Sequence, residues 1–376
     1  MFSKIARTSS ISALPRAIFN FSKMVTLGRD TNQALGLGEY AINFMKNGKP
    51  DDSVFERVKL FHTDSVICGL SALALKTNAP RVLRKEALKE YKGPKCWFKK
   101  GYSRVLGSDR LVHAEKAILA NSSAVREWDS NGTVFGINEN IPGHQAGEFG
   151  HNDFYPVSIS ACQQNRKLNG RDAVMGMILI DEIRGRLAEV FSLKTYWIDH
   201  VVHGGIAACA TYGAMMGATA EQIESAIGMF CSHYIPFRAI RAGKQLSDSK
   251  GASAAISTEA AILCIKRSMN GFLGPRDIFR NPEAIFRINE PTNGDSPFNI
   301  VLGQSGENFA VMGMHFKLGL YEHQSAGALE GVIKLLQEHT FLEHCDPDCI
   351  KSANVIAYEP AFGIIGDPAK RNCTTR

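Results

Sequence analysis

Asp129 and His151 bracket the stretch in which proton-transferring side chains are densest, "WDSNGTVFGINENIPGHQAGEFGHNDFYP" from Trp128 to Pro156. With the residue before it, this stretch holds Glu127, Asp129, Glu139, His144, Glu148, His151 and Asp153. Carboxylates and imidazoles give and take protons near neutral pH, so their clustering suits general acid–base chemistry. Glycines at 132, 136, 143, 147 and 150 supply turns by which such a run can fold back on itself. A solvated surface loop has the same composition. Two features favour the functional reading. The run is longer than an ordinary connection, and Trp128, Phe135, Ile141, Phe149, Phe154 and Tyr155 are interleaved with its polar groups, as in a loop laid against a core. His144 has no chemical neighbours and reads as a structural or surface histidine. Asp129 and His151, at the two ends, are expected in one pocket.

A second cluster is "WIDHVVHGG", where Asp199, His200 and His203 stand just before a Gly/Ala-rich helix whose first free N–H groups can receive an anion. His-x-x-His is also a metal-ligand spacing, but no third ligand is in view, and a capping or core histidine is the commoner use of the pattern. A third is "FRAIRAGKQLSDSKG", with Arg238, Arg241, Lys244 and Lys250 set against a single acid, Asp248. On a surface these cations form a solvated patch. Beside a histidine-bearing pocket they would grip several carboxylates, arginine in bidentate fashion. Lys317 and His323, in "MHFKLGLYEHQSAG", are further candidates of the same kind. The three groups together suit acid–base chemistry on a small polyanion. No G-x-G-x-x-G, P-loop, G-x-S-x-G or H-E-x-x-H pattern occurs, which disfavours nucleotide-dependent enzymes and serine hydrolases.

The nine cysteines are scattered, without a C-x-x-C pair, and most lie in apolar helical context, as expected in a reducing compartment. They offer no ligand set for zinc or an iron–sulfur cluster, so neither a metal nor a cofactor is expected. Net charge is +6, and residues 1–30 supply +4 of it through Lys4, Arg7, Arg16, Lys23 and Arg29 against Asp30. That Ser-rich, acid-poor head has the composition of a mitochondrial transit peptide, the alternative being a plain disordered terminus; the expected location is the mitochondrial matrix. The remaining +2 leaves a nearly neutral body without the basic stripe of a nucleic-acid binder. No apolar run approaches the roughly 20 residues of a membrane span. Neither nucleic acid nor membrane is an expected partner.

The elements that must position these groups are mostly helices. Amphipathic spacing predicts helices over 32–48, 51–75, 115–128, the stretch "VSISACQQN" and 170–191. A tight Gly/Ala helix follows over 203–217, with Gly217 as its stop, then a helix opened by a Thr219/Gln222 capping box, and another over 250–271. After residue 290 the pattern changes. Alternation predicts strands over 311–321 and 352–360, flanking a helix over 324–339. The expected fold is mainly α: a basic head (1–30), a large all-helical domain (31–290) and a smaller α+β domain (291–376). Two strands and one helix are too few to bury a sheet face, so that second domain is expected to be incomplete at its C-terminus.

Four of these segments resemble the MmgE/PrpD family, which includes 2-methylcitrate dehydratases and cis-aconitate decarboxylases. "AVREWDSNG" with "GHNDFYPVSISA" is similar to the family's acidic segment and its histidine turn. "IDHVVHGGIAACATYGAMMGATAEQIESAIGM" resembles its central helices, with the start typical of dehydratases. "FRAIRAGKQLSDSKGASAAIS" resembles the dehydratase stretch with two arginines and a lysine, and "MHFKLGLYEHQSAGALEG" the strand-to-helix approach of the second domain. The resemblance covers about residues 115–335 and implies an active site between a helical and an α+β domain, usually in a homodimer. It carries Asp129, His151, His200 and Lys250 onto active-site positions, Arg238 and Arg241 onto carboxylate binding, and Lys317 and His323 onto weaker matches. Two departures stand out: the family's G-H-P-S turn is Gly150-His151-Asn152-Asp153 here, and the family continues past "DPAKRNC" into further site-bearing sequence. The implied activity is dehydration of 2-methylcitrate or a related tricarboxylate, as in propionate catabolism. Decarboxylation of cis-aconitate, or an inactive truncated relative kept for binding, are the rivals.

Overall fold

The computed structural model describes residues 24–130, 132–136, 147–150, 152–241, 245–317, 319, 321–357 and 361–366. Among them, eleven α-helices run in the order α1 (Gln33–Asn47), α2 (Asp52–Ala74), α3 (Asn78–Glu90), α4 (Ala114–Arg126), α5 (Pro156–Gln164), α6 (Gly170–Val190), α7 (Val201–Met216), α8 (Ala220–His233), α9 (Asp248–Met269), α10 (Ile285–Asn289) and α11 (Ala326–Glu338). Eight short strands accompany them: β1 (Met24–Leu27), β2 (Lys49–Pro50), β3 (Tyr102–Arg104), β4 (Leu111–His113), β5 (Thr133–Gly136), β6 (Gly147–Gly150), β7 (Ile300–Gly303) and β8 (Ser305–Gly306). They pair two by two, β1 with β7, β2 with β8, β3 with β4 and β5 with β6. The chain is therefore mainly α, with a smaller part after residue 300 that mixes strand, 3-10 turn and helix. No single helix among the described residues is long and apolar enough to cross a membrane.

Helix α7 is the axis of the core. It buries fourteen of its sixteen residues, and a helix apolar on all sides has to be surrounded. Its small residues let its neighbours approach closely. A Cβ on Gly204 would lie 2.0 Å from the Phe154 ring and one on Gly205 2.1 Å from the Phe230 ring, so both aromatic rings rest on bare backbone. The helix stops at Gly217, in the left-handed conformation, and α8 opens on the reciprocal Thr219/Gln222 capping box. Around α7 stand α1, α6, α8 and α9, and α4 lies along α9. In α2, the stripe Val54, Phe55, Val58 and Phe61 is buried, as its spacing requires.

The last residues of the basic head belong to the fold. Strand β1 runs antiparallel to β7, and Tyr40 donates its hydroxyl proton to the Gly303 carbonyl at 2.6 Å. Buried Glu182 on α6 accepts the N–H groups of Gly303 and Ala310, both at 2.6 Å, and pairs with Arg186 at 2.9 Å. This clamps residues 300–310 onto the helices.

Among the described residues, neither of the two strands predicted over 311–321 and 352–360 is seen. Ala310–Gly313 is a 3-10 turn, and the described residues that follow it up to 321 are irregular, with a single bridge position at His315. The sequence alternation is not matched by burial: Val311, Met314 and Lys317 are buried, three positions apart, and Phe316 stacks on Phe61 with centroids 4.3 Å apart. A strand needs burial at every second residue and a neighbouring strand to pair with, and a spacing of three provides neither. Residues 352–357 also lack regular structure, and Phe362–Gly366 form a π-helical turn. Conversely, the polar run after Trp128 is not all loop. Its described parts form the β5–β6 hairpin, with Thr133 opposite Gly150 and Gly136 opposite Gly147. His144 lies outside the described residues.

Candidate active site

Helix α4 ends at Arg126, and the chain turns back through Asp129, whose φ of +51° lies in the left-handed region that aspartate tolerates better than most residues. The N–H of Asp129 donates to the Arg126 carbonyl at 2.9 Å, closing the turn. Opposite it begins α9. Lys250, in the first turn of that helix, donates from Nζ to Asp129 Oδ2 at 2.7 Å. Arg126 donates to the other carboxylate oxygen, and Lys317 donates to the Asp129 backbone carbonyl. Three cations thus converge on one residue at the positive end of a helix, a setting that favours anions.

These groups line a cleft of about 260 Å³ with Trp128, Tyr321 and three further acids, Glu127, Asp248 and Glu322. Burial lowers the Lys317 ammonium below the usual lysine range, with nearby Asp129 acting the other way. Burial also pushes the Glu322 carboxyl up, opposed by the Gln324 N–H that it accepts. A lysine eased toward neutrality and a carboxyl eased toward protonation are suited to proton transfer. Lys317 is held in place through its neighbours: Phe316 lies on Phe61, and Arg57 covers both rings while donating to the Met314 carbonyl.

Behind the cleft runs a line of buried charge. Arg126 Nε stands 3.5 Å from Asp153 Oδ2, and Arg184 Nη1 stands 3.8 Å from Asp153 Oδ1. Arg184 also pairs with Asp181 at 2.6 Å, and Asp181 accepts the Tyr155 hydroxyl at 2.6 Å. Burial carries the Asp153 carboxyl up to about 7, against the pull of Arg126, Arg184 and Arg241. Asp153 is the point where the chain returns from the β5–β6 hairpin. The two ends of the polar run therefore meet, joined through Arg126. His151 lies outside the described residues. Its neighbour Asn152 is anchored by donating to the Phe61 carbonyl at 2.8 Å and to Asp64 at 3.0 Å.

A second group forms around Asp199, which is fully buried. It accepts from Arg241 Nη2 at 3.1 Å and from Arg241 Nε, and takes the Val201 N–H at 3.3 Å. The start of α7 is thus served by the protein's own carboxylate rather than left open for an external anion. Burial alone would raise the Asp199 carboxyl, but Arg241, His200 and Arg238 outweigh it and hold it at about 2. His200 caps α7 with Nδ1 3.6 Å from Asp199 Oδ1. His203, one turn further on, is buried; burial first and His200 second lower it to about 3, so its ring is neutral.

The basic cluster read as one patch therefore divides. Lys250 serves Asp129, while Arg241 and Arg238 serve Asp199; Lys244 lies outside the described residues. Arg241 also acts on Asp153, which links the two groups. His323 opens a 3-10 turn directly after Glu322 and is not part of the cleft lining. The sequence reading missed Arg126, Tyr321 and Glu322. Arg126 carried a signal, three positions before Asp129 at the end of a predicted helix. Glu322 carried none beyond its proximity to His323.

Comparison with known families bears on the whole arrangement. The model of the MmgE/PrpD N-terminal domain matches residues 37–294, more than half of the chain. This chain belongs to the MmgE/PrpD family. The family is generally hydro-lyase or dehydratase-like and includes 2-methylcitrate dehydratases. The MmgE/PrpD match spans α2 through α10 and contains Asp129, Asp153, Asp199, His200 and Lys250, whereas Lys317 and Glu322 come from beyond it.

Proposed function

We propose that this protein is a hydro-lyase that dehydrates 2-methylcitrate, or a close citrate-type tricarboxylate, to the corresponding cis-aconitate. The observation that carries this reading is the convergence of Arg126, Lys250 and Lys317 on Asp129 in a cleft of about 260 Å³, small enough for a compact polycarboxylate. In the elimination, a base takes a proton from the carbon next to a carboxylate, a C=C bond forms, and the hydroxyl leaves as water after gaining a proton from an acid. Negative charge develops on that carboxylate, and the cations of the cleft stabilise it. Lys250 and Lys317 hold substrate carboxylates, and Arg126 fixes Asp129 so that Lys250 is oriented rather than free to swing. His200 and the family-assigned His151 carry the proton transfers, with Glu322 as the cleft acid whose carboxyl burial raises. Arg238 and Arg241 act at one remove, by keeping Asp199 ionised beside His200. His323, next to Glu322 in the chain, has no assigned contact with substrate in this reading.

The dehydratase-like "IDHVV" and "RAIRAG" stretches support dehydration over decarboxylation. The test is incubation of purified protein with 2-methylcitrate, citrate and cis-aconitate, following enoate absorbance and product NMR. Formation of a methyl-aconitate is the expected result. Itaconate would replace this reading by decarboxylation, and a folded protein that turns over none of the three would end it. His151→Ala and His200→Ala are each expected to abolish turnover with the helical circular dichroism unchanged; activity retained in both would remove the histidines from the mechanism. A dimeric state and a matrix location belong to the same proposal and are checked by sedimentation and by import into isolated mitochondria.

A further inference from the structure

The near-neutral body of the chain is an average that conceals a strongly basic region. Residues 76–110 hold eleven lysines and arginines against Glu86, Glu90 and Asp109, a net +8 in a chain of net +6. Glu86 is engaged by Lys116 at 2.5 Å, which leaves still less acid to offset the cations around it. Part of this region walls a cleft of about 850 Å³ between the end of α2, helix α3 and the turn at Leu106–Gly107. Seven lysines and arginines line it, with no acid among its lining residues. Only Lys89, with Glu90 at 3.4 Å, has an ion pair among the described residues. The floor is apolar, formed by Leu70, Leu73, Leu88 and Leu106. Arg84 is already positioned, donating to the carbonyls of Leu106 at 3.4 Å and Gly107 at 3.2 Å.

We propose that this cleft binds a soluble phosphorylated ligand of nucleotide size, and that its occupancy is communicated to the Asp129 cleft through Arg81, Asn78 and Asp248. Unneutralised cations set side by side repel one another, and a ligand with densely placed negative charge relieves that repulsion. Phosphate esters match arginine forks as well as lysine point charges. The volume lies in the range of sites for cofactor-sized molecules and is about three times that of the Asp129 cleft, too large for a lone tricarboxylate. The leucine floor takes the apolar or aromatic part of the same molecule. The volume enclosed between α2, α3 and the Leu106–Gly107 turn favours a small ligand over a membrane surface or a nucleic-acid duplex.

The connection to the other cleft is a short hydrogen-bond chain. Arg81, on the wall of the basic cleft, donates to Asn78 Oδ1 at 2.8 Å, and Asn78 Nδ2 donates to Asp248 Oδ2 at 2.6 Å. Asp248 begins α9 and lines the Asp129 cleft two residues before Lys250. A phosphate that draws Arg81 into the basic cleft withdraws it from Asn78 and loosens the hold of Asn78 on the first turn of α9. Trp128, in the lining of the Asp129 cleft, reports that change.

The test uses the full chain with Trp97 and Trp197 replaced by phenylalanine, leaving Trp128 as the one tryptophan, and measures binding by calorimetry with ATP and with inorganic pyrophosphate as probes. ATP is expected to bind, pyrophosphate to bind at least tenfold more weakly, and Lys85→Glu/Lys89→Glu to weaken ATP at least tenfold. ATP is also expected to change Trp128 fluorescence, and Asn78→Ala to keep ATP binding while losing that change. Failure of ATP to bind, or binding unaffected by the double charge reversal, overturns the site. Tighter binding of a DNA duplex or of phosphatidylglycerol vesicles than of ATP overturns the ligand class. A fluorescence change that persists in Asn78→Ala overturns the relay. None of these readouts needs turnover, so the binding result stands apart from the dehydratase assay.

Discussion

Two clefts in this protein are built from lysine and arginine, and they differ in what accompanies the cations. In the smaller cleft the cations that face Asp129 have fixed directions: acids hold Arg126, between Asp129 and Asp153, and Lys250, on Asp129, while Lys317 is held by the Asp129 backbone carbonyl. In the larger cleft the cations face solvent without acids between them. Paired, oriented charge costs stability to assemble and suits chemistry, where a fraction of an ångström in a donor position matters. Unpaired charge is tolerant of geometry and suits capture of an anion. The difference between the clefts is one of preorganisation more than of charge.

Substitutions can break or sharpen that contrast. The largest effect is expected at Asp129. Asp129→Asn should lower kcat/KM on 2-methylcitrate by about a thousandfold, whereas Lys85→Glu, in the other cleft, should leave the rate without ATP within twofold; equal losses in a steady-state assay would erase the distinction. Next comes Asp199→Asn, which leaves Arg241 buried without its carboxylate. A loss of about 3 kcal/mol in urea unfolding at pH 7 is expected. Because the folded Asp199 carboxyl sits at about 2, below its unfolded value, its contribution is complete above about pH 4 and is lost as pH falls through 2. The variant should therefore show a shallower acid limb, and an unchanged limb would remove Asp199 from the charge scaffold.

Asp153 has the opposite sign. Its folded value of about 7 lies above the unfolded one, so between about pH 4 and 7 the folded state holds the extra proton, and stability declines as pH rises through that window. The slope from this group is at most about 1.4 kcal/mol per pH unit. Asp153→Asn should flatten it, and infrared titration of the wild-type carboxyl should centre near 7. The smallest effect is expected on the exposed wall of the large cleft, where Lys89→Gln should change stability by less than about 0.5 kcal/mol in either direction. A larger loss there would mean that those cations, too, are part of the scaffold.

How much of this could be read in advance depended on the range of the interactions. Helix α7 and the start of α8 were legible because Gly204, Gly205, Gly217 and the Thr219/Gln222 box are local signals. Asp129 and Lys250 were legible as candidates through their family resemblance, but their mutual bond joins the end of α4 to the start of α9 across 121 positions, and no spacing rule covers that. The strands expected over 311–321 and 352–360 do not appear among the described residues for the reverse reason: alternation is local, while a strand needs a partner edge supplied from elsewhere. The hairpin after Trp128 was hidden because "TVFG" and "GEFG" are too short and glycine-rich to stand out until they pair. The basic cleft was lost to averaging, since +8 in one region is offset by acids distributed elsewhere.

Strand β1 has a consequence for how the molecule comes into being. Met24–Leu27 meets its partner only in Ile300–Gly303, and the neighbouring bond from Arg29 to Asn299 spans 270 positions. At roughly 5–20 residues per second, the ribosome needs about 15 to 60 seconds to deliver that partner, during which β1 is an exposed edge in search of a neighbour. A chaperone that shields the first thirty residues until residue 303 has emerged would act at the moment of greatest exposure. For the same reason a protease that trims the head ahead of Met24 leaves the clasp whole, and one that cuts past Leu27 strips the cover from β7.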